Sequence, residues 1–205
     1  MRYLLFGAVL ALALILGGGE KPARAQESAA PAPDIEAGTE PFAPTEAERI
    51  DALFATLADT DDVESAKEAE RAILRLWMES GSETVDLLMD WSMTAMQADN
   101  HARALDFLDR VVLMQPDYAE GWNKRATVHF LTEDYNRSIA DIGKVLELEP
   151  RHFGALSGLG MIFRSIGEEE RAMTAFREAL AVNPHLEEVK KALTELEATH
   201  EGQAL

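Results

Sequence analysis

Between Thr45 and the C-terminus, apolar residues recur at intervals of three and four, the spacing of one buried face of a helix, and proline is absent until Pro116. Ala47, Ile50, Leu53, Phe54 and Leu57 form a first stripe, and Ala66, Ala69, Ile73, Leu76 and Trp77 form a second. Two amphipathic stripes in succession predict a helical hairpin over residues 45–80. Ser80-Gly81-Ser82 ends it, with Gly81 suited to the left-handed conformation that closes helices. Near the other end, Leu186, Val189, Leu193 and Leu196 recur among Glu and Lys, which predicts a helix with one apolar and one solvated face over residues 187–205.

The stretch between these ends repeats. Pro116, Pro150 and Pro184 are separated by 34 residues each, and taking them as the ends of units gives 85–118, 119–152 and 153–186 without insertion or deletion. A large residue stands early in each unit (Leu88, Trp122, Leu156), followed one turn later by a small one (Ser92, Ala126, Gly160). In the second half of each unit the small residue is Ala104, Ser138 or Ala172, and the large one after it is Leu108, Ile142 or Phe176. Antiparallel helices approach closely only where small side chains meet, while large neighbours fill the adjacent holes.

On these columns the sequence resembles the tetratricopeptide-repeat (TPR) family over about half its length. The resemblance implies an all-α fold, a TPR superhelix or α-solenoid of three regular 34-residue repeats. It would be completed by a degenerate N-terminal hairpin over 45–80 and a C-terminal capping helix, because terminal repeats otherwise expose the faces their neighbours bury. In that family the first helix of each repeat lines a concave groove that binds peptides or proteins. Projected onto this chain, the lining is Met89, Met93 and Met96, then Asn123, Thr127 and Phe130, then Ser157, Met161 and Arg164. Unbranched Met suits an adaptable apolar site, and Asn123 could pair with a peptide backbone. The carboxylate clamp found in some chaperone-binding members is not implied, because its columns hold Met89, Met93, Lys124, Gly154 and Gly158, of which only Lys124 is basic.

Two departures from the pattern stand out. Arg125 occupies a column held otherwise by Trp91 and Leu159, where an unpaired charge would be costly, so a structural polar pair with Asp141 is expected, Glu120 being the other candidate. The run FGALSGLG over 153–160 puts Gly154, Ser157 and Gly158 on one nearly bare helix face. Interior Gly costs roughly 1 kcal/mol relative to Ala, so either a neighbouring helix or a ligand backbone comes close there, and close internal packing is the expected reason.

The N-terminus carries a different signal. Leu4 to Leu16 is an unbroken apolar or Gly stretch after Arg2, and Ala23-Arg24-Ala25 offers small residues at both cleavage-recognition positions. As a helix the stretch would reach roughly 20 Å, short of the roughly 30 Å hydrocarbon core. Residues 1–25 therefore read as a signal peptide cleaved after Ala25, giving an exported, periplasmic protein without a membrane span, the alternative being an uncleaved anchor. Residues 26–44 hold four of the eight prolines and few large apolar residues, and are expected to be a disordered Pro/Ala-rich leader.

Formal charge is −18, and residues 1–25 contribute three cations and one anion, so the remainder carries −20. With no basic run, neither nucleic acid nor anionic lipid is an expected partner. The absence of Cys removes disulfides, thiol nucleophiles, thiolate metal sites and lipoprotein anchoring. His101, His129, His152, His185 and His200 lack paired-ligand spacing, and no phosphate-cradling loop or nucleophile elbow occurs, so no catalytic residue, metal or cofactor is assigned. The reading is a non-enzymatic adaptor or scaffold in the cell envelope, a monomer or weak homo-oligomer with an unidentified protein or peptide partner. The alternatives are a structural protein that self-associates through an incompletely capped end and an accessory subunit of an envelope enzyme.

Overall fold

A computed structural model describes residues 45–203, so the expected signal peptide and leader lie outside the described residues. The described chain forms nine helices and no strands: α1 Glu46–Asp59, α2 Val63–Met78, α3 Glu83–Gln97, α4 His101–Met114, α5 Ala119–Leu131, α6 Tyr135–Leu148, α7 Phe153–Ser165, α8 Glu169–Val182 and α9 Glu187–Gln203. The starts of α4, α6 and α8, and those of α5 and α7, are each 34 residues apart, so the repeat in sequence is a repeat of helix pairs.

Local chemistry sets the ends. Thr45 and Glu48 form a reciprocal capping box at α1, and Asp62, Asn100 and Asp134 accept from the backbone N–H groups of Ser65, Arg103 and Arg137 to start α2, α4 and α6. The turn inside each repeat passes through a left-handed residue, Asp99, Glu133 or Gly167, again in 34-residue register. Gly81, at φ +75°, turns the chain from α2 into α3. The alternation of columns is literal: a methyl group on Gly160 would strike the Phe176 ring, and one on Gly121 would lie 2.6 Å from Val111 Cγ1.

At the C-terminal end α9 covers α8 as expected, with Leu196 buried and Val189 and Leu193 packed against Phe163, Met173 and Phe176. The N-terminal hairpin departs from expectation. It does not stack along α3 as a preceding repeat would; its core, made of Phe54, Leu57, Ala66, Ala69, Ile73 and Trp77, closes on Phe153, Val182 and Leu186. The hairpin is a strap along the edge where one repeat passes into the next. Leu57 O meets His185 Nε2 at 3.1 Å, and Glu70 accepts from Asn183, both at the last junction. At the middle junction Asp51 pairs with Arg151 at 2.7 Å, and Trp77 stacks on His152 with centroids 4.1 Å apart and planes 10° from parallel. At the first, Tyr118 Oη donates to Met78 O and Gln115 Nε2 to Ser80 O. The physical reason is that the hairpin's large apolar residues face ring and aliphatic surface at the junctions, whereas the first face of α3 offers Leu87 and Trp91 with no complementary stripe turned toward it. Both remain 46% and 47% exposed.

Candidate functional site

The first helices of repeats 2 and 3, α5 and α7, border a cavity of about 240 Å³. Asn123, Thr127 and Phe130 line it from α5, and Gly154, Ser157, Gly158 and Met161 from α7; Ala126, Ile142, Ala155 and Ile162 form its apolar floor. Five of the nine projected groove residues meet here: Asn123, Thr127, Phe130, Ser157 and Met161. The other four do not. Arg164 is exposed and pairs with Glu195 of α9 at 3.0 Å. Met93 and Met96 are half-buried on α3, outside this cavity.

Met89 is a correction: it is 1% exposed, enclosed with Val85, Leu108 and Tyr118, because Met78 at the end of the strap packs over the same cluster. In repeats 2 and 3 the equivalent positions, Asn123 and Ser157, stay partly open.

The glycines of α7 are a second correction. A methyl on Gly158 would meet only Ile142 Cδ1, at 3.7 Å, and one on Gly154 only the His152 ring, at 3.3 Å. No helix packs closely enough to require Gly at 158, so close internal packing is not why that face is bare. Both glycines open into the groove.

Hydrogen bonding leaves the groove with acceptors. Thr127 Oγ1 donates to Asn123 O, and Ser157 Oγ donates to Phe153 O, so each hydroxyl keeps its lone pairs toward the cavity. Asn123 Nδ2 donates to Glu120 Oε2 at 2.8 Å, and its Oδ1 accepts no hydrogen bond among the described residues.

Beneath the rim lies a buried polar hub that sequence reading missed. Glu120 is 4% exposed, and its carboxylate accepts from Asn123 Nδ2, from His152 Nε2 at 3.0 Å and from Lys124 Nζ at 2.7 Å. The tautomer of His152 follows from its other nitrogen, since Nδ1 accepts the Ala155 N–H to cap α7, leaving Nε2 to donate. Burial pushes the Glu120 carboxyl up, but the His152 hydrogen bond and the Lys124 charge outweigh it and hold it below the usual value. The position of His152 at a junction was a legible signal of a helix cap; the Glu120 contact, 32 residues away, was not. Lys124, the one basic clamp column, is thereby engaged.

Arg125 and Asp141 form the expected pair, with Nε and Nη2 donating to the two carboxylate oxygens at 2.8 and 2.7 Å. The second partner is Asp109 of the preceding repeat at 2.9 Å, and not Glu120. Arg125 also lies over the Trp122 ring, 4.7 Å from its centroid. His129 completes the cluster 3.9 Å from Asp141, its pKa lowered by burial.

A family model described as tetratricopeptide repeat matches residues 119–152 and 154–186. A TPR repeat-containing protein of Rhizobium etli is 38% identical over 182 residues, covering 89% of this chain and 87% of the relative. Among solved structures, the first TPR of Spaghetti (RPAP3) bound to the HSP90 peptide SRMEEVD is 16% identical, with TM-score 0.56 over 58% of this chain and 95% of that one. The Sgt2 TPR domain from Aspergillus fumigatus is 17% identical, with TM-score 0.57 over 60% and 83%. At these identities the likeness to the solved structures is one of fold.

Proposed function

Because the chain belongs to the tetratricopeptide-repeat family, we propose that it works as a protein-interaction module whose groove between α5 and α7 takes an extended peptide segment of a partner protein. The observation that carries this reading is the glycine face of α7. Gly158 weakens a helix that packing does not require it in, and with Gly154 it leaves main chain open beside Asn123 Oδ1 and the Ser157 and Thr127 hydroxyls. A peptide backbone can approach such a surface, donate N–H groups to those acceptors and place an apolar side chain on the floor between Phe130 and Met161. The RPAP3 relative in fold holds a peptide, which supports the class of ligand. An acidic C-terminus is a poor match here, since Lys124 is committed to Glu120.

The proposed setting is the cell envelope, with export directed by residues 1–25 and cleavage after Ala25, and the proposed role is that of an adaptor. The test selects peptides from a random library on the chain beginning at Gln26 and measures their affinity for the wild type and for Gly158→Ala and Gly158→Leu. Affinity in the micromolar range that falls at least about tenfold in Gly158→Leu supports the groove. Peptides that bind both variants as well as the wild type would move the site elsewhere.

A further inference from the structure

Among the described residues, the strap leaves the first face of the array open. Trp91 and Phe107 border a hollow of about 370 Å³ with Arg103, Thr94 and Asn100, and the exposed Leu87 lies one turn before Trp91 on α3. What these positions do in the other repeats identifies the surface. Thirty-four residues on, Leu87 becomes Gly121, which lies against Val111 of the preceding repeat, and then Ala155, which is 1% exposed. Trp91 becomes Arg125, bound to Asp109 of the preceding repeat, and then Leu159, packed near Ile139 of the preceding repeat. This is a stacking face, and in repeat 1 nothing among the described residues lies on it.

We propose that the occupant is a second copy of this chain, the two α3–α4 faces stacking on each other about a twofold axis. The charge distribution selects this partner. Across residues 83–114 the only Lys or Arg residues are Arg103 and Arg110, and both flank Phe107 on α4, with Asp106 between them. Neither forms an ion pair among the described residues; Arg103 lies over the Phe107 ring instead, 5.5 Å from its centroid. The same face of α3 carries Glu83 and Asp90, four residues before and three after Leu87, and no cation. A twofold axis sets the acidic α3 edge of each copy against the basic α4 edge of the other, while Leu87, Trp91 and Phe107 close the centre. The whole chain carries −18, and residues 83–114 themselves hold six acids against Arg103 and Arg110, so copies repel unless the acidic edge of one meets the two arginines of the other. A head-to-tail stack is blocked because α9 covers the last repeat. Helices α1 and α2 do not supply the cover, since they are bound at all three junctions.

Sedimentation velocity and light scattering on the chain from Gln26, from about 1 μM to about 1 mM, the range of weak protein interfaces, test the proposal. The mass is expected to rise from one chain toward two and stop there. Trp91→Glu should hold it at one chain with an unchanged circular-dichroism spectrum, because Trp91 is half-exposed. Arg103→Glu and Glu83→Lys should each weaken association at least about tenfold, and the double variant should recover it. A constant one-chain mass overturns the proposal, as does a dimer indifferent to Trp91→Glu or growth beyond two. Dimerisation that appears only when residues 26–44 are deleted also overturns it, by making the leader the occupant. Because the α5–α7 groove is a separate surface, Gly158→Leu should leave the mass profile unchanged, so the two readings fail independently.

Discussion

Arg125 Nη2 lies 2.7 Å from Asp141 Oδ1 at the same two repeat positions where, 34 residues earlier, the rings of Trp91 and Phe107 lie 5.5 Å apart. In the third repeat those positions hold Leu159 and Ala175. One scaffold geometry thus accommodates an aromatic pair, an ion pair and an aliphatic pair. The ion pair is largely buried, with Arg125 held charged mainly by its hydrogen bonds to Asp141. Arg125→Leu alone strands Asp141 beside His129 and is expected to cost about 3 kcal/mol of unfolding free energy. Arg125→Leu with Asp141→Ala copies the third repeat and should restore stability to within about 1 kcal/mol of wild type, as read by urea unfolding. A double variant as unstable as the single would mean that the pair, and not the stranded charge, carries the stability.

The strap should come loose through Trp77. Its ring stacks on His152, touches Phe153 and Phe54, and its Nε1 has no partner among the described residues, so flat contact and burial are what hold it. Trp77→Ala is expected to cost about 4 kcal/mol. Hydrogen exchange should show the amides of α1 and α2 losing protection before those of α5 to α8. Uniform loss across all helices would show instead that strap and array unfold as one unit.

Acid should unfold the array through Glu120. Its folded pKa is depressed, so the unfolded chain binds the proton more readily. The stabilisation is therefore complete above the unfolded value, near 4.5, and is lost as pH falls through the lower folded value. Glu120→Gln is expected to lose about 2 kcal/mol at neutral pH and to show a shallower decline from pH about 5 to about 3 than wild type. Equal slopes in the two proteins would remove Glu120 as the source.

Binding and stability should separate at Gly158. Alanine there meets only Ile142 Cδ1 at an ordinary van der Waals distance and gains helix propensity, so Gly158→Ala is expected to raise stability by about 1 kcal/mol. The same methyl group narrows the groove and should weaken a selected peptide several-fold in titration calorimetry. A stabilised variant with unaltered binding would place the ligand off the α7 glycine face.

The sequence by itself determined the helices, the 34-residue register, the C-terminal cap and the Arg125–Asp141 pair. Each of these is written in apolar spacing, or in a conflict between one residue and its column, and both are local or periodic signals. It also brought Asn123, Thr127, Phe130, Ser157 and Met161 to one groove, because a regular repeat carries each projected column forward unchanged. The tertiary structure alone decided what interrupts that regularity. The stripes of α1 and α2 say that the hairpin has an apolar face but not what covers it, and its partners, from Gln115 to His185, lie up to 128 residues away. That docking buried Met89, left Trp91 open and set Trp77 on His152, beside the Glu120 carboxylate. The bareness of Gly158 is likewise a matter of distances between helices: composition shows a missing side chain, and only the packed neighbours show whether the space is filled.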